Sequence, residues 1–180
     1  MTGAARVWTV VYAGVVAAFL VMVATYYHPG KGFTAFIEFP IQNHESEIPA
    51  VRAVPHVDHE GSGGYDGQFY AQMAVEPLLA DRAIDAALDT PPYRARRILM
   101  SWMSYLVGFG QPAAILHVYS LHAVVAWLVL AWLITAWVPV TSGRGVLIAS
   151  TAMLAHGPMM SVRYALPDLA AGVLVACAVL

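Results

Sequence analysis

Cysteine and charge are what this 180-residue sequence has least of. Its single cysteine, Cys177, lies in an apolar run, so a disulfide within the chain is excluded and no thiol site is indicated. Charged residues make up 11% of the chain, whereas a soluble domain carries roughly 25%. With 59% hydrophobic residues, the composition predicts an integral membrane protein. The net charge of −2 lacks the basic excess typical of nucleic-acid binding, so nucleic acid is not an expected partner.

Uncharged runs divide the chain into three parts. Residues 7–27 are long enough to cross a hydrocarbon core of roughly 30 Å. A cleaved signal peptide would have a shorter apolar region, about 7–15 residues, and a small-residue cleavage site. We therefore predict a first transmembrane helix in residues 1–27, an extracytoplasmic loop in residues 28–97 and further transmembrane helices in residues 98–180.

The predicted fold class is an all-α integral membrane protein with about four or five transmembrane helices. Its later spans are expected in the apolar runs 98–110, 113–138, 146–155 and 169–180. The last run has no helix-ending signal, which predicts that the chain is the N-terminal part of a longer protein. Arg6 indicates a cytoplasmic N-terminus and hence a loop outside the membrane, but Arg144 conflicts with simple alternation and leaves the orientation after residue 98 open.

The loop holds ten of the eleven Asp and Glu residues and six of the nine Lys and Arg residues. Prolines in residues 33–57 predict an irregular segment with at most short strands. A short helix is predicted after Asp66, and a second, amphipathic one over residues 78–88. Thr90 followed by two prolines predicts the start of another helix. Helices this short between two spans are expected to lie along the membrane interface.

Asp66 is the residue we predict to be catalytic. It lies in the block Gly-Gly-Tyr-Asp-Gly-Gln-Phe-Tyr at residues 63–70, where glycines leave the carboxylate uncrowded and aromatic rings can seat a sugar. A carboxylate in such a place can act as a general base or hold a divalent metal. Asp-Gly is also a common turn dipeptide, so a purely structural turn remains the alternative.

Two further groups of side chains have a functional and a structural interpretation. Besides Asp66, the metal-ligand candidates are His56, Asp58 and His59, but their residue types favour a solvated polar loop over a metal site. Three arginines at the start of the next helix would suit a phosphate group or ordinary lipid headgroups: Arg94, Arg96 and Arg97.

Polar residues in the later apolar part are also candidates for function. Arg163 and Asp168 flank the start of the last run and could pair with each other or line one polar pocket. His117 and His122 are five residues apart and so not on one helical face, which favours hydrogen bonds between helices over a shared metal site.

The sequence resembles bacterial polytopic membrane proteins similar to C-type glycosyltransferases, the mannosyltransferase-like, polyprenyl-phosphate-sugar-dependent class. The resemblance rests on Tyr-Asp-Gly-Gln-Phe-Tyr at residues 65–70, Leu-Asp at 88–89, Pro-Pro-Tyr-Arg at 91–94 and Arg-Arg-Ile-Leu at 96–99. His-Pro-Gly at 28–30 and Arg163 with Pro167-Asp168 fit the same pattern. The resemblance covers most of the chain, which would correspond to the first third of such a protein.

The resemblance implies a membrane glycosyltransferase, or its N-terminal part, in the bacterial cytoplasmic membrane. It implies a lipid-linked sugar donor, membrane lipids as surroundings and an acceptor that the sequence does not identify. Asp66 takes the role of base or metal ligand, and a divalent metal is the one cofactor to consider. The implied substrate-binding residues are Tyr65, Gln68, Tyr70, Arg94, Arg96, Arg97, Arg163 and Asp168. The alternative is a non-catalytic polytopic membrane protein, such as a transporter subunit or an assembly partner.

Overall fold

The computed structural model describes residues 2–179, so Met1 and Leu180, at the ends of the first and last predicted segments, lie outside the described residues. The chain is mainly helical. The α-helices are α1 Gly3–Ala24, α2 Pro49–Arg52, α3 Asp66–Val75, α4 Ala83–Ala87, α5 Pro91–Arg94, α6 Leu99–Val107, α7 Pro112–Trp137, α8 Gly143–Met153, α9 His156–Arg163 and α10 Asp168–Val179. Short 3₁₀ helices cover Thr34–Phe36, Ile41–Ser46 and Ala95–Arg97, and two-residue strands are β1 Phe39–Pro40 and β2 Asp58–His59.

Two of the described helices, α1 and α7, are long and apolar enough to cross a membrane. Helices α8 and α9 make a third candidate if the pair, bent by 47°, forms one span. Helix α6 has nine residues and a length of about 14 Å, well short of a hydrocarbon core of about 30 Å. The helical class is thus confirmed, while four or five spans stay a prediction.

Helix α7 is the centre of the packing. It contacts α1, α3, α6, α8, α9 and α10, and its buried face includes Trp127 and Tyr119. The Trp127 ring stacks on Phe19 of α1 with centroids 3.6 Å apart, and its indole N–H donates to the Met153 carbonyl at 2.9 Å. Tyr12 of α1 donates its hydroxyl to the Ala131 carbonyl. The predicted spans are therefore tied by specific polar contacts as well as by apolar burial.

The segment before α3 is more ordered than its proline content predicts. Strands β1 and β2 pair in parallel, with Phe39 opposite Asp58, and α2 packs against α3 and α7. Three side chains on this segment are almost fully buried: Phe36, Ile37 and Phe39. Apolar anchoring against the membrane helices, which local sequence patterns do not report, orders the backbone here.

The helix predicted over residues 78–88 is much shorter. It covers only Ala83–Ala87, because Leu79 takes a left-handed conformation with φ 53° and the chain bends before the helix begins. Helix α5 begins where predicted, with Thr90 at its N-cap and prolines in its first turn. A 3₁₀ turn then separates α5 from α6, so the predicted continuous helix is divided.

Candidate functional site

Asp66 is the first residue of α3 and follows a sharp change of backbone direction. Gly64 has φ +77°, and Tyr65 is extended, so the helix begins directly at Asp66. A carboxylate in the first turn interacts favourably with the helix dipole. Gly67 allows this turn to pack tightly, because a Cβ there would overlap the carbonyl oxygen of Tyr164. The Asp66 side chain remains 45% exposed and can meet a ligand.

Arg94 joins Asp66 to a second carboxylate, Asp89. Its Nη2 donates to Asp66 Oδ1 and to Asp89 Oδ2, both at 2.8 Å, and its Nε donates to Asp89 Oδ1 at 3.0 Å. The Arg94 Nη1 atom lies 2.6 Å from Asp66 Oδ2. Arg94 is only 4% exposed, so its charge is balanced by two carboxylates that reach solvent.

Aromatic rings surround the Arg94 guanidinium. Its central carbon lies 4.7 Å from the Phe69 ring centre, 5.4 Å from that of Tyr70 and 5.6 Å from that of Tyr93. Such contacts favour a cation over the ring faces. Together with the carboxylates they fix the guanidinium, and through it the position of the Asp66 side chain.

Arg94 and Asp89 change each other's titration. The hydrogen bond from Arg94 lowers the pKa of Asp89 below its ordinary value, and the smaller effect of burial opposes this. The hydrogen bond to Asp89, aided by that to Asp66, outweighs burial and raises the pKa of Arg94. Arg94 and Asp89 are therefore both charged over the whole neutral pH range.

The other predicted residues of the Asp66 block have different surroundings. Tyr65 is 40% exposed and stacks on Tyr164 with centroids 4.1 Å apart. Gln68 and Tyr70 are buried, at 4% and 1% exposure. Of these three side chains, Tyr65 is the one that reaches solvent.

Arg97 and Asp168 form a second, more exposed ion pair, with Nη1 3.0 Å from Oδ1. They lie at the polar end of a cleft of about 340 Å³ between α6 and α10. Arg96 lines the same end. The rest of this cleft is apolar and is formed by Leu99, Met100, Pro167, Ala171 and Leu174.

A second cleft, of about 320 Å³, shares three of these lining residues and extends along the same helices. Its remaining lining residues are almost entirely apolar: Met103, His122, Val125, Ala126, Ala170 and Val173. The shared residues are Leu99, Met100 and Leu174. The two clefts therefore form a groove, charged at one end and apolar along its length, which we call the α6–α10 groove.

Arg163 and Asp168 do not pair with each other, although their spacing left that open. Arg163 contacts Glu38 instead, with Nη1 2.7 Å from Oε2, while Asp168 contacts Arg97. Glu38, a residue that the sequence interpretation missed, is buried and has φ 61°. Ser62 donates its hydroxyl to Glu38 at 3.0 Å. A non-glycine residue in the left-handed backbone region is strained, and no pattern in the amino-acid sequence predicts which residue adopts that conformation.

The structure also changes the set of metal-ligand candidates. His56 and Asp58 come together with His44 and Glu47, and one ligand atom from each lies within 4.8 Å of the others. Of the four candidates that the sequence offered, Asp66 and His59 are not in this group. The His59 ring lies against the Ala35 carbonyl, 3.2 Å away.

The pKa of His56 is raised above 6.5. Burial opposes protonation of the ring, but the Glu47 contact, the Val54 carbonyl and the charge of Asp58 together outweigh it. Two carboxylates close to one imidazole thus stabilise a positive charge in this cluster.

His122 makes one contact within its own helix, α7, and one with the turn before α10. Its Nδ1 lies beside the Tyr119 carbonyl, and its Nε2 lies 3.2 Å from the Leu166 carbonyl. It therefore ties α7 to the turn that precedes α10, next to Asp168.

Comparisons of this chain with protein-family models, with curated proteins and with solved structures gave no match.

Proposed function

We propose that the protein is a membrane glycosyltransferase, or the N-terminal part of one, that transfers a sugar from a polyprenyl-phosphate donor to an extracytoplasmic acceptor. Asp66 acts as the base for the acceptor hydroxyl, or holds a divalent metal that orients it. The α6–α10 groove binds the phosphate and the prenyl chain of the donor.

The shape and polarity of this groove carry the proposal. A polyprenyl-phosphate sugar has a phosphate with one negative charge, which becomes two when the sugar is transferred, and a long hydrocarbon tail. The groove has Arg96 and Arg97 at one end, and apolar side chains of α6 and α10 along its length. Guanidinium groups bind phosphate oxygens with two donors, which favours the arginines as the head site.

Asp168 holds Arg97 at this end of the groove without blocking it. The two side chains are 44% and 56% exposed, and exposed ion pairs contribute little, about 0–1 kcal/mol. A phosphate can therefore replace Asp168 as the partner of Arg97 at small cost. Arg94 is different, because its donors are already directed to two carboxylates and it is buried. We therefore assign Arg94 to positioning Asp66, and the phosphate contacts to Arg96 and Arg97.

Two neighbouring segments connect Asp66 to the charged end of the α6–α10 groove. Its neighbours Tyr65 and Gly67 both contact Tyr164, four residues before Asp168. Its partner Arg94 precedes Arg97 by a single 3₁₀ turn. Both connections support a site in which the carboxylate and the arginines act on one substrate.

The reaction would proceed as a single displacement with inversion. The acceptor O–H gives its proton to Asp66, and the acceptor oxygen bonds to the anomeric carbon. The bond from that carbon to the phosphate oxygen breaks, and the phosphate leaves with the electron pair. Arg96 and Arg97 stabilise the negative charge that grows on it. Tyr65, stacked on Tyr164, offers an aromatic surface for the sugar.

The membrane arrangement proposed with this activity has Arg6 in the cytoplasm and residues 28–97 on the outer face of the bacterial cytoplasmic membrane. Helices α1 and α7 are the long spans, and α8–α9 and α10 contribute the further crossings of a four- or five-span unit.

Donor turnover by the purified protein in nanodiscs tests the catalytic role. The substrates are radiolabelled polyprenyl-phosphate hexoses, with water or an extract of cell-envelope glycans as acceptor. Asp66→Asn should lower turnover by about 10²–10⁴-fold, the usual contribution of a general base. The matched control is Asp85→Asn, which removes an exposed carboxylate from α4 and should leave turnover unchanged.

Donor binding tests the groove separately. Arg97→Gln should weaken binding of polyprenyl phosphate, while Arg82→Gln, an exposed arginine in the same loop, should not. Inorganic phosphate should compete only weakly, because it lacks the chain that the apolar part of the groove would cover. Turnover by Asp66→Asn at the wild-type rate, together with no binding of polyprenyl phosphate, would instead favour the non-catalytic membrane protein.

A further inference from the structure

Four side chains of the extramembrane segment direct one ligand atom each toward a common centre. These atoms are His44 Nδ1, Glu47 Oε2, His56 Nε2 and Asp58 Oδ1. Each histidine nitrogen lies near both carboxylates. The distances from His44 are 3.6 and 3.5 Å, and those from His56 are 3.4 and 3.3 Å.

The buried members of this cluster have no hydrogen-bond partner. Glu47 and His56 are each 4% exposed, and neither Oε1 nor Oε2 of Glu47, nor Nε2 of His56, accepts or donates a hydrogen bond among the described residues. The same holds for His44 Nδ1 and Asp58 Oδ1. A buried carboxylate without a donor is costly, so the cluster favours a positive charge at its centre, from a bound cation or from a protonated imidazole.

The His56 ring is oriented as a metal ligand would be. Its Nδ1 lies 2.8 Å from the Val54 carbonyl, and a carbonyl can only accept, so Nδ1 carries a hydrogen. In the neutral ring, Nε2 then presents its lone pair to the centre of the cluster. A ligating imidazole commonly donates its other nitrogen to a backbone carbonyl, which fixes the tautomer and the ring direction.

We propose that His44, Glu47, His56 and Asp58 bind one Zn²⁺ ion, as a structural site distinct from Asp66. Zinc bonds to histidine nitrogen and carboxylate oxygen at about 2.0–2.2 Å, so neighbouring ligand atoms in a tetrahedral site are about 3.4 Å apart. Of the six edges of such a tetrahedron, the four histidine–carboxylate distances of 3.3–3.6 Å match that length, and the other two lie within 4.8 Å. Two neutral imidazoles with two carboxylates also balance the charge of a divalent ion, and the imidazoles favour zinc over Mg²⁺ or Ca²⁺.

An open cleft of about 290 Å³ leads to the cluster and provides an entry path for the ion. Lys31 and Arg52 also line it and weaken the attraction for a cation, although Arg52 directs its Nη1 to the Glu45 carbonyl. Glu47 and Asp58 would bond to the ion directly, so they would supply the negative charge that holds it.

Bound zinc would hold together pieces of chain that have little regular structure. His44 lies in the 3₁₀ helix Ile41–Ser46, Glu47 and His56 flank α2, and Asp58 begins β2. All four ligands come from the protein, and a site without an open position is typical of structural zinc. The ion would fix this segment against the membrane helices, and its loss should loosen the segment.

Zinc binding by the full chain in detergent tests the site. Protein treated with EDTA and dialysed should bind close to one Zn²⁺ per chain when titrated with ZnCl₂, and its thermal unfolding midpoint should rise. His44→Gln and Asp58→Asn alter partly exposed ligands, so folding is retained. Each should weaken zinc binding by more than about 10–100-fold, which is the usual cost of losing a residue that only orients a metal ligand. His59→Gln is the matched control, because His59 contacts the Ala35 carbonyl and should leave zinc affinity unchanged.

Either of two results would overturn the site. One is the absence of stoichiometric Zn²⁺ binding, or binding that both ligand variants retain; a proton on His56 would then supply the positive charge. The other is a preference for MgCl₂ over ZnCl₂ in the same titration. Neither result bears on Asp66 or the α6–α10 groove, whose residues are not among the ligands.

Discussion

The Arg94 guanidinium meets the Asp66 carboxylate at two points, with Nη2 2.8 Å from Oδ1 and Nη1 2.6 Å from Oδ2. The two residues are 28 positions apart, and the contact joins the start of α3 to the end of α5. Arg94 is buried and Asp66 is half-exposed, so the buried guanidinium holds in place a carboxylate that reaches solvent.

Replacing Arg94 should destabilise the protein more than replacing its neighbour. Arg94→Met leaves Asp66 and Asp89 without their donors, and hydrogen bonds to charged groups contribute about 1.5–3 kcal/mol each. Because both carboxylates can regain water, we expect a total loss near the lower end, about 2 kcal/mol. Arg96→Met, at an exposed position two residues on, should change thermal unfolding in detergent little. Equal midpoints for the two variants would contradict a supporting role for Arg94.

The stability provided by Asp89 should depend on pH. Since Arg94 lowers the pKa of Asp89 below the ordinary 3.8, its contribution is complete above that value and is lost as the pH falls through the lower, folded-state pKa. The difference in unfolding midpoint between wild type and Asp89→Asn should therefore be constant near neutral pH and shrink toward pH 3 and below. Asp85→Asn serves as the control, and a difference that does not change in acid would argue against the ion pair.

Gly67→Ala should be harmful although it adds one methyl group. The new Cβ would overlap the Tyr164 carbonyl oxygen and press on that of Ile37, both of them backbone atoms that cannot rotate away. Overpacking of this kind costs about 1–3 kcal/mol. A Cβ at Gly63 would have no atom within 4 Å, so Gly63→Ala is the control that measures the effect of a less flexible backbone alone. Unfolding midpoints of the two variants measure the difference, and a Gly67→Ala protein as stable as Gly63→Ala would disprove the close contact.

Trp127→Phe should loosen the junction between α8 and α9. The Trp127 N–H donates to the Met153 carbonyl, which ends α8 and has no partner within that helix. Loss of this bond should lower the free energy of unfolding by about 0.5–1.5 kcal/mol. Trp132→Phe on the same helix alters a ring that is 70% exposed and should have little effect. Hydrogen exchange of the backbone amides in residues 153–156, measured for both variants in detergent, reports whether the loosening is local.

The sequence predicted the parts of the fold that depend on continuous patterns. Residues 7–27 and 113–138 were expected to be spans and correspond closely to α1 and α7, because an uncharged run of more than twenty residues has few other stable states. Thr90 with its prolines located the start of α5 in the same way. The helix over residues 78–88 was predicted too long, since a left-handed Leu79 follows no residue-type preference.

The sequence by itself determined which residues carry charge: nearly all of them lie in residues 28–97, and this made Asp66, the arginines and the histidines candidates. Only the tertiary structure decided their partners. It paired Asp66 with Arg94, Asp168 with Arg97 and Arg163 with Glu38, and it added His44 and Glu47 to His56 and Asp58. The reason is physical: packing decides which opposite charge lies beside a given charge, and that partner can be 28, 71 or more residues away along the chain. A buried charge such as Arg94 also requires such a partner.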